Sequence, residues 1–124
     1  METALVFDDR GCVLFWHLPA DRSQGAIPDS RGLWERLWEN RERLGGVAHT
    51  HPWNGAAQPS STDVTTFAAV EQGLGQRLIW PIVTFSEVVY FEWVGPDRLD
   101  YGPMRLRRIR LKRMVIAKLR ALSR

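Results

Sequence analysis

The eight residues Gly45-Gly46-Val47-Ala48-His49-Thr50-His51-Pro52 constrain the fold more than any other stretch of the chain. Paired glycines read as a helix stop, and the proline forces the residue before it into extended backbone. What lies between is too short for a helix and reads as a strand, Val47 to His51. Upstream, Leu33, Trp34, Leu37, Trp38 and Leu44 recur at helical spacing behind a capping Ser30. Downstream, Ser60 or Ser61 opens a second helix predicted to run to about Gln72, with Gly73 ending it. A strand bracketed by helices makes this an α/β chain.

The flanks extend that order. Ala4 to Phe7 and Cys12 to His17 are β-rich runs around the turn residues Asp8-Asp9-Arg10-Gly11, which predicts a hairpin. Residues 19 to 29 have loop composition. "RLIWPIVTF" and "EVVYFEWV" predict two further strands, the first weakened by Pro81. Gly95 to Pro103 reads as loop. From Met104 onward good helix formers without Gly or Pro predict a basic C-terminal helix. The expected fold is a mixed β-sheet sandwiched by helices, within one domain over residues 1–103 and a helical tail over 104–124.

Charge separates those two parts. Residues 104–124 carry nine of the 17 basic residues and no acidic one, so the remaining residues carry eight basic against 14 acidic, a net of −6. The tail's apolar residues Leu111, Val115, Leu119 and Leu122 form a helical stripe that needs cover, from the domain itself or from a second copy. Its charge suits an acidic partner, nucleic acid or an anionic membrane surface. The single cysteine, Cys12, allows no internal disulfide, and no segment has signal-peptide or membrane-spanning character. A cytoplasmic protein is expected.

The chemistry-bearing residues lie in the same stretch. Residues i and i+2 of a strand share a face, so His49 and His51 aim both imidazoles at one point. Asp63, at the start of the next helix, is the carboxylate that the loop after His51 would bring back. Two His nitrogens, one carboxylate and a water form a zinc site of catalytic type, and a water so bound ionises near pH 7. The small residues Gly55, Ala56 and Ala57 would leave that site open. Ser60-x-x-Asp63 is also a capping box, a purely structural role.

"HTHPWNGAAQPSSTD" resembles the signature of the JAMM, or JAB, zinc metalloproteases: His-x-His-Pro, a short loop, then Ser-x-x-Asp. The resemblance centres on residues 47–73 and extends loosely, through element order, over 1–101. It implies a JAB/MPN-type, cytidine deaminase-like fold and zinc on His49, His51 and Asp63. It further implies that Ser60 helps to hold the oxyanion, and that the chain hydrolyses a peptide or isopeptide bond at the C-terminus of a ubiquitin-like protein. The loop between His51 and Ser60 is one residue longer than is usual in that family. The family's catalytic glutamate corresponds in position only to Glu2, 47 residues before His49, and the helix that normally precedes it is absent from this sequence.

Among other residues, Trp53 follows Pro52 and would line a substrate groove or fold back onto the core. His17 is expected to have a structural or surface role rather than to bind metal, and Trp34 and Trp38 to be core. Thr65 and Thr66 belong on a helix surface, and Glu39, Glu87 and Glu92 are only reserve bases. Two other functions fit the same residues: a non-catalytic scaffold of the same fold, and a nucleic-acid-associated protein acting through residues 104–124.

Overall fold

The computed structural model describes residues 1–18, 31–106 and 108–124. The elements in order are β1 (Ala4–Asp8), β2 (Val13–His17), α1 (Arg31–Glu39), β3 (Leu44–Thr50), α2 (Ser61–Leu74), β4 (Trp80–Val83), β5 (Val88–Trp93), β6 (Tyr101–Pro103) and α3 (Arg113–Leu122). The strands form one sheet in the order β2-β1-β3-β4-β5-β6. Only β3 and β4 run parallel; the other neighbours are antiparallel. The fold is therefore mixed α/β. The Ser30 cap and the loop at 19–29 lie outside the described residues.

Alternation along the strands builds two cores. Ala4, Val6, Val47 and Ile82 face α1 and α2, meeting Leu37, Phe67 and Leu74. Leu5, Phe7, Ala48 and Val83 face the other way and meet Leu111 and Leu119. The predicted apolar stripe of the C-terminal segment is thus covered by the sheet of its own chain. Leu119 is wholly buried, and burying a side chain of that size contributes roughly 1.5–3 kcal/mol.

Several local expectations are corrected. Leu44 belongs to β3, not to the first helix, which ends at Glu39. Gly45 and Gly46 are strand residues chosen for close backbone approach. A Cβ on Gly45 would come 2.1 Å from the Asp8 carbonyl oxygen, and one on Gly46 would come 1.8 Å from that of Ile79. The second helix passes through Gly73 and ends at Leu74, with Gly75 in the left-handed conformation at φ 71°. Gly73 lies under the Trp34 ring, where a Cβ would meet it at 2.7 Å. Trp34 and Trp38 are partly exposed, at 37% and 45%, rather than core.

Pro81 sits in a central strand. The parallel ladder yields to it: Gly46–Ile79 is an isolated bridge, and pairing resumes at His49–Ile82. Part of the predicted 95–103 loop is strand β6, which pairs with Phe91 to Trp93. The basic helix starts at Arg113, not Met104; the described residues between β6 and α3 are not helical, because they must cross the sheet before α3 can return over it.

Candidate metal centre

The centre forms where β3 ends. Ala4 pairs with His49, and the same antiparallel register carried two residues outward sets Glu2 across from His51. Glu2, His49 and His51 therefore lie on the α2 face of the sheet, and all three are buried. His51 is anchored through its amide, which donates to the Val83 carbonyl at 2.9 Å.

The loop that follows is tied to the β4–β5 turn. Gly55 N–H donates to Ser86 Oγ at 2.6 Å, Ala57 N–H to Glu87 Oε2 at 2.5 Å, and Thr84 Oγ1 to the Gly55 carbonyl at 2.9 Å. Phe85 N–H donates to the Trp53 carbonyl at 2.9 Å. These bonds turn the chain back so that α2 begins beside the end of β3. Glu87, considered only as a reserve base, is a loop anchor.

Ser60 caps α2 in a complete capping box. Its Oγ accepts from Asp63 N–H at 3.0 Å, and Asp63 Oδ2 accepts from Ser60 N–H at 2.9 Å. The structural reading of Ser60-x-x-Asp63 is thus realised, and it does not compete with the chemical one. The Ser60 hydroxyl, used only as an acceptor in the box, keeps its proton for donation. The box fixes Asp63, whose Oδ2 reaches the imidazoles.

Three ligand-type atoms converge there. His51 Nε2 lies 3.1 Å from Asp63 Oδ2, His49 Nε2 lies 3.4 Å from it, and the two Nε2 atoms are 3.1 Å apart. A tetrahedral zinc with bonds of about 2.0–2.2 Å spaces its ligand atoms roughly 3.3–3.6 Å apart, so this triangle is close to one face of that coordination shell. Glu2, His49 and His51 also form a group that could hold a metal, with ligand atoms within 4.8 Å of one another. The His49–His51–Asp63 triangle, with sides of 3.1, 3.1 and 3.4 Å, has the dimensions of direct ligands, and Glu2 is a further carboxylate beside the same two imidazoles. The donor chemistry fits zinc: two imidazoles presenting the same nitrogen, and one carboxylate.

The electrostatics agree with that division. Burial pushes the Asp63 carboxyl up, but hydrogen bonds from His49 and His51, the His49 charge and the Ser60 amide outweigh it, leaving the group far below the usual carboxylate range. Burial raises the Glu2 carboxyl, and the Asp63 charge adds to this against the pull of His49, His51 and the N-terminal charge. One carboxylate is held ionised and the other is made more basic by its surroundings.

Glu2 is pinned from the opposite face of the sheet. Thr3, next to it, donates from its amide to Thr50 Oγ1 at 2.8 Å, and Thr50 lies between the two histidines. Ser123, after α3, donates to Thr50 Oγ1 at 2.6 Å, and Thr3 Oγ1 donates to the Leu122 carbonyl at 3.4 Å. The end of α3 thus fastens the segment bearing Glu2. Nothing in the sequence pattern marks Thr3, Thr50 and Ser123, because the contact exists only once α3 has crossed the sheet.

The remaining candidates fall into place around this centre. Trp53 is exposed, with its ring centroid 4.4 Å from that of His51, so it borders the centre instead of folding into the core. His17 pairs with Ala4 and is buried, two strands from His49 and thus about 9–10 Å away, beyond reach of the same ion. Thr65 and Thr66 are exposed on α2. No protein-family model and no curated protein sequence matches the chain.

Proposed function

We propose that the chain is a zinc-dependent hydrolase of the JAMM type, with His49, His51 and Asp63 as ligands. The observation that carries this reading is the 3.1, 3.1 and 3.4 Å triangle of ligand atoms with a second, more basic carboxyl buried beside it. The JAB/MPN-type, cytidine deaminase-like arrangement follows from the same resemblance, as does the substrate class: the C-terminal peptide or isopeptide bond of a ubiquitin-like protein.

Zinc held there would supply Lewis acidity toward a water and a carbonyl oxygen. Glu2 takes the proton from the attacking water and delivers it to the leaving amine, which is why a raised carboxyl pKa suits it. The Ser60 hydroxyl donates to the carbonyl oxygen as negative charge develops on it. Trp53 offers an apolar wall to the substrate chain next to the scissile bond.

The test uses the purified chain and a panel of ubiquitin-like proteins with C-terminal extensions or isopeptide-linked targets. Cleavage should cease with chelator, return with zinc, and fall about 10²–10⁴-fold in Glu2→Gln while zinc content stays near one per chain. Zinc-independent cleavage, or full activity in His49→Ala with Asp63→Ala, would refute the reading. Retained function in Glu2→Gln would favour the scaffold alternative.

A further inference from the structure

The layer that covers the second face of the sheet is made by residues 104–124 alone among the described residues, and its path can be followed. Met104 N–H donates to the Tyr90 carbonyl on β5, and Leu111 N–H donates to the Tyr90 hydroxyl. The Arg110 carbonyl lies against Gly11 in the β1–β2 turn, where a Cβ would come within 2.6 Å. Returning along α3, Lys118 stands 4.6 Å over the Trp16 ring of β2, and Arg120 reaches the Thr84 carbonyl at 2.8 Å. One broad face of the sandwich is therefore built from the one stretch with nine basic residues and no acidic one.

The outside of that layer is not only charged. Leu106 is 72% and Met114 83% exposed, whereas the next most exposed large apolar residue described, Trp53, is at 46%. Arg105, Arg110, Lys112 and Arg113, which lie around these two in sequence, are exposed and form no salt bridge among the described residues. From this we infer that the 104–124 face docks on an anionic lipid bilayer, with Leu106 and Met114 entering the headgroup boundary and the basic residues pairing with lipid phosphates. Protruding aliphatic side chains gain from an interface that is apolar below and anionic above. A single-stranded nucleic acid would reward aromatic stacking groups, of which residues 104–124 contain none, and a duplex would pair with the basic residues but leave Leu106 and Met114 in water. A second copy would set two basic faces against each other.

The inference goes beyond the hydrolase reading and does not depend on it. The full chain is floated with vesicles of about one part phosphatidylglycerol to two parts phosphatidylcholine, with phosphatidylcholine alone and with duplex DNA as competitor. Binding is expected to the anionic vesicles only, weakening several-fold between roughly 0.05 and 0.5 M salt. Leu106→Asp with Met114→Asp should cut it at least about tenfold with unchanged zinc content and circular dichroism. Arg113→Glu, at an exposed site in the first turn of α3, supplies a second variant should that pair misfold. Failure to bind anionic vesicles at low salt, parental binding by both variants, or displacement by DNA at lower concentration than lipid overturns the proposal. Vesicle binding by a chain that takes up no zinc would leave it standing and remove only the hydrolase reading.

Discussion

Helix α2 carries a buried or half-buried carboxylate at each end, and the two could hardly be used more differently. At its C-terminal end Glu71 is saturated: Oε2 accepts from Leu78 N–H and Trp80 Nε1–H, both at 2.9 Å, and Oε1 from Arg77 at 2.9 Å and from the Tyr101 hydroxyl. Burial and the Glu71 charge hold the Tyr101 phenol protonated far up the pH scale. At the N-terminal end Asp63 Oδ2 meets one amide and then two imidazole nitrogens that also face each other. The first carboxylate is surrounded by fixed donors and has nothing left to bind. The second belongs to a group of lone pairs aimed at one point, which asks for a cation. A cavity of about 560 Å³ lies beside Glu71, with Gln72, Gln76, Arg77 and Arg98 along it, yet the metal-type geometry is at the other end of the helix. Convergence of ligand atoms, and not space, distinguishes the candidate centre.

Mutations can break this contrast. Glu71→Ala leaves Trp80 and Leu78 N–H groups buried without an acceptor and should lower unfolding free energy by roughly 3–5 kcal/mol, read by denaturant titration, while zinc affinity is kept. A loss below about 1 kcal/mol would show that Glu71 is not the structural partner described. His49→Ala should act chiefly on the metal, weakening zinc by more than about 100-fold in a competition titration with a chromophoric chelator, while the metal-free protein loses the His49–Asp63 contact and less stability than in Glu71→Ala. Ser123→Ala removes the hydroxyl that holds Thr50 behind the histidines, and should cost about 1–2 kcal/mol of stability. Its larger signature should be lower turnover at unchanged zinc content, because it is the Glu2 segment that loosens.

Acid sharpens the comparison in a smaller way. The folded-state pKa of Asp63 lies below its unfolded value, so the unfolded chain binds more protons at acid pH. Stability from this group is present above the ordinary aspartate range and is lost as pH falls through and below it. In the metal-free protein Asp63→Asn should therefore flatten the acid limb of stability against pH, followed by urea midpoints at a series of pH values. An acid limb of the same slope in the variant would mean that Asp63 is not the carboxylate held ionised.

Much of the centre is legible in the sequence because its geometry is local. The i, i+2 spacing of His49 and His51 already places both rings on one side of a strand. Ser60 and Asp63 form a capping box whose partners are three residues apart, so it needs no tertiary information either. Trp34 and Trp38 are the opposite case: one helical turn apart, they suggest a core face, but α1 leaves both partly exposed, with Trp34 over Gly73. Periodicity identifies a stripe without saying what covers it. The misreading of Gly45-Gly46 has the same origin. Glycine marks a helix stop and a close strand crossing alike, and only the Asp8 and Ile79 carbonyls at 2.1 and 1.8 Å from a would-be Cβ decide between them.

The sequence by itself determined the element types around residues 47–63, the shared face of the two histidines, and the charge division between residues 1–103 and 104–124. These depend on backbone periods of a few residues and on composition. Only the tertiary structure decided that Glu2 lies across from His51, that the 52–59 loop returns Asp63 to within 3.4 Å of both imidazoles, and that Ser123 locks Thr50 from behind. Each of these joins groups far apart in the chain, through strand register and helix docking. Register and docking are set by the packing of the whole sheet, and no short segment contains that information.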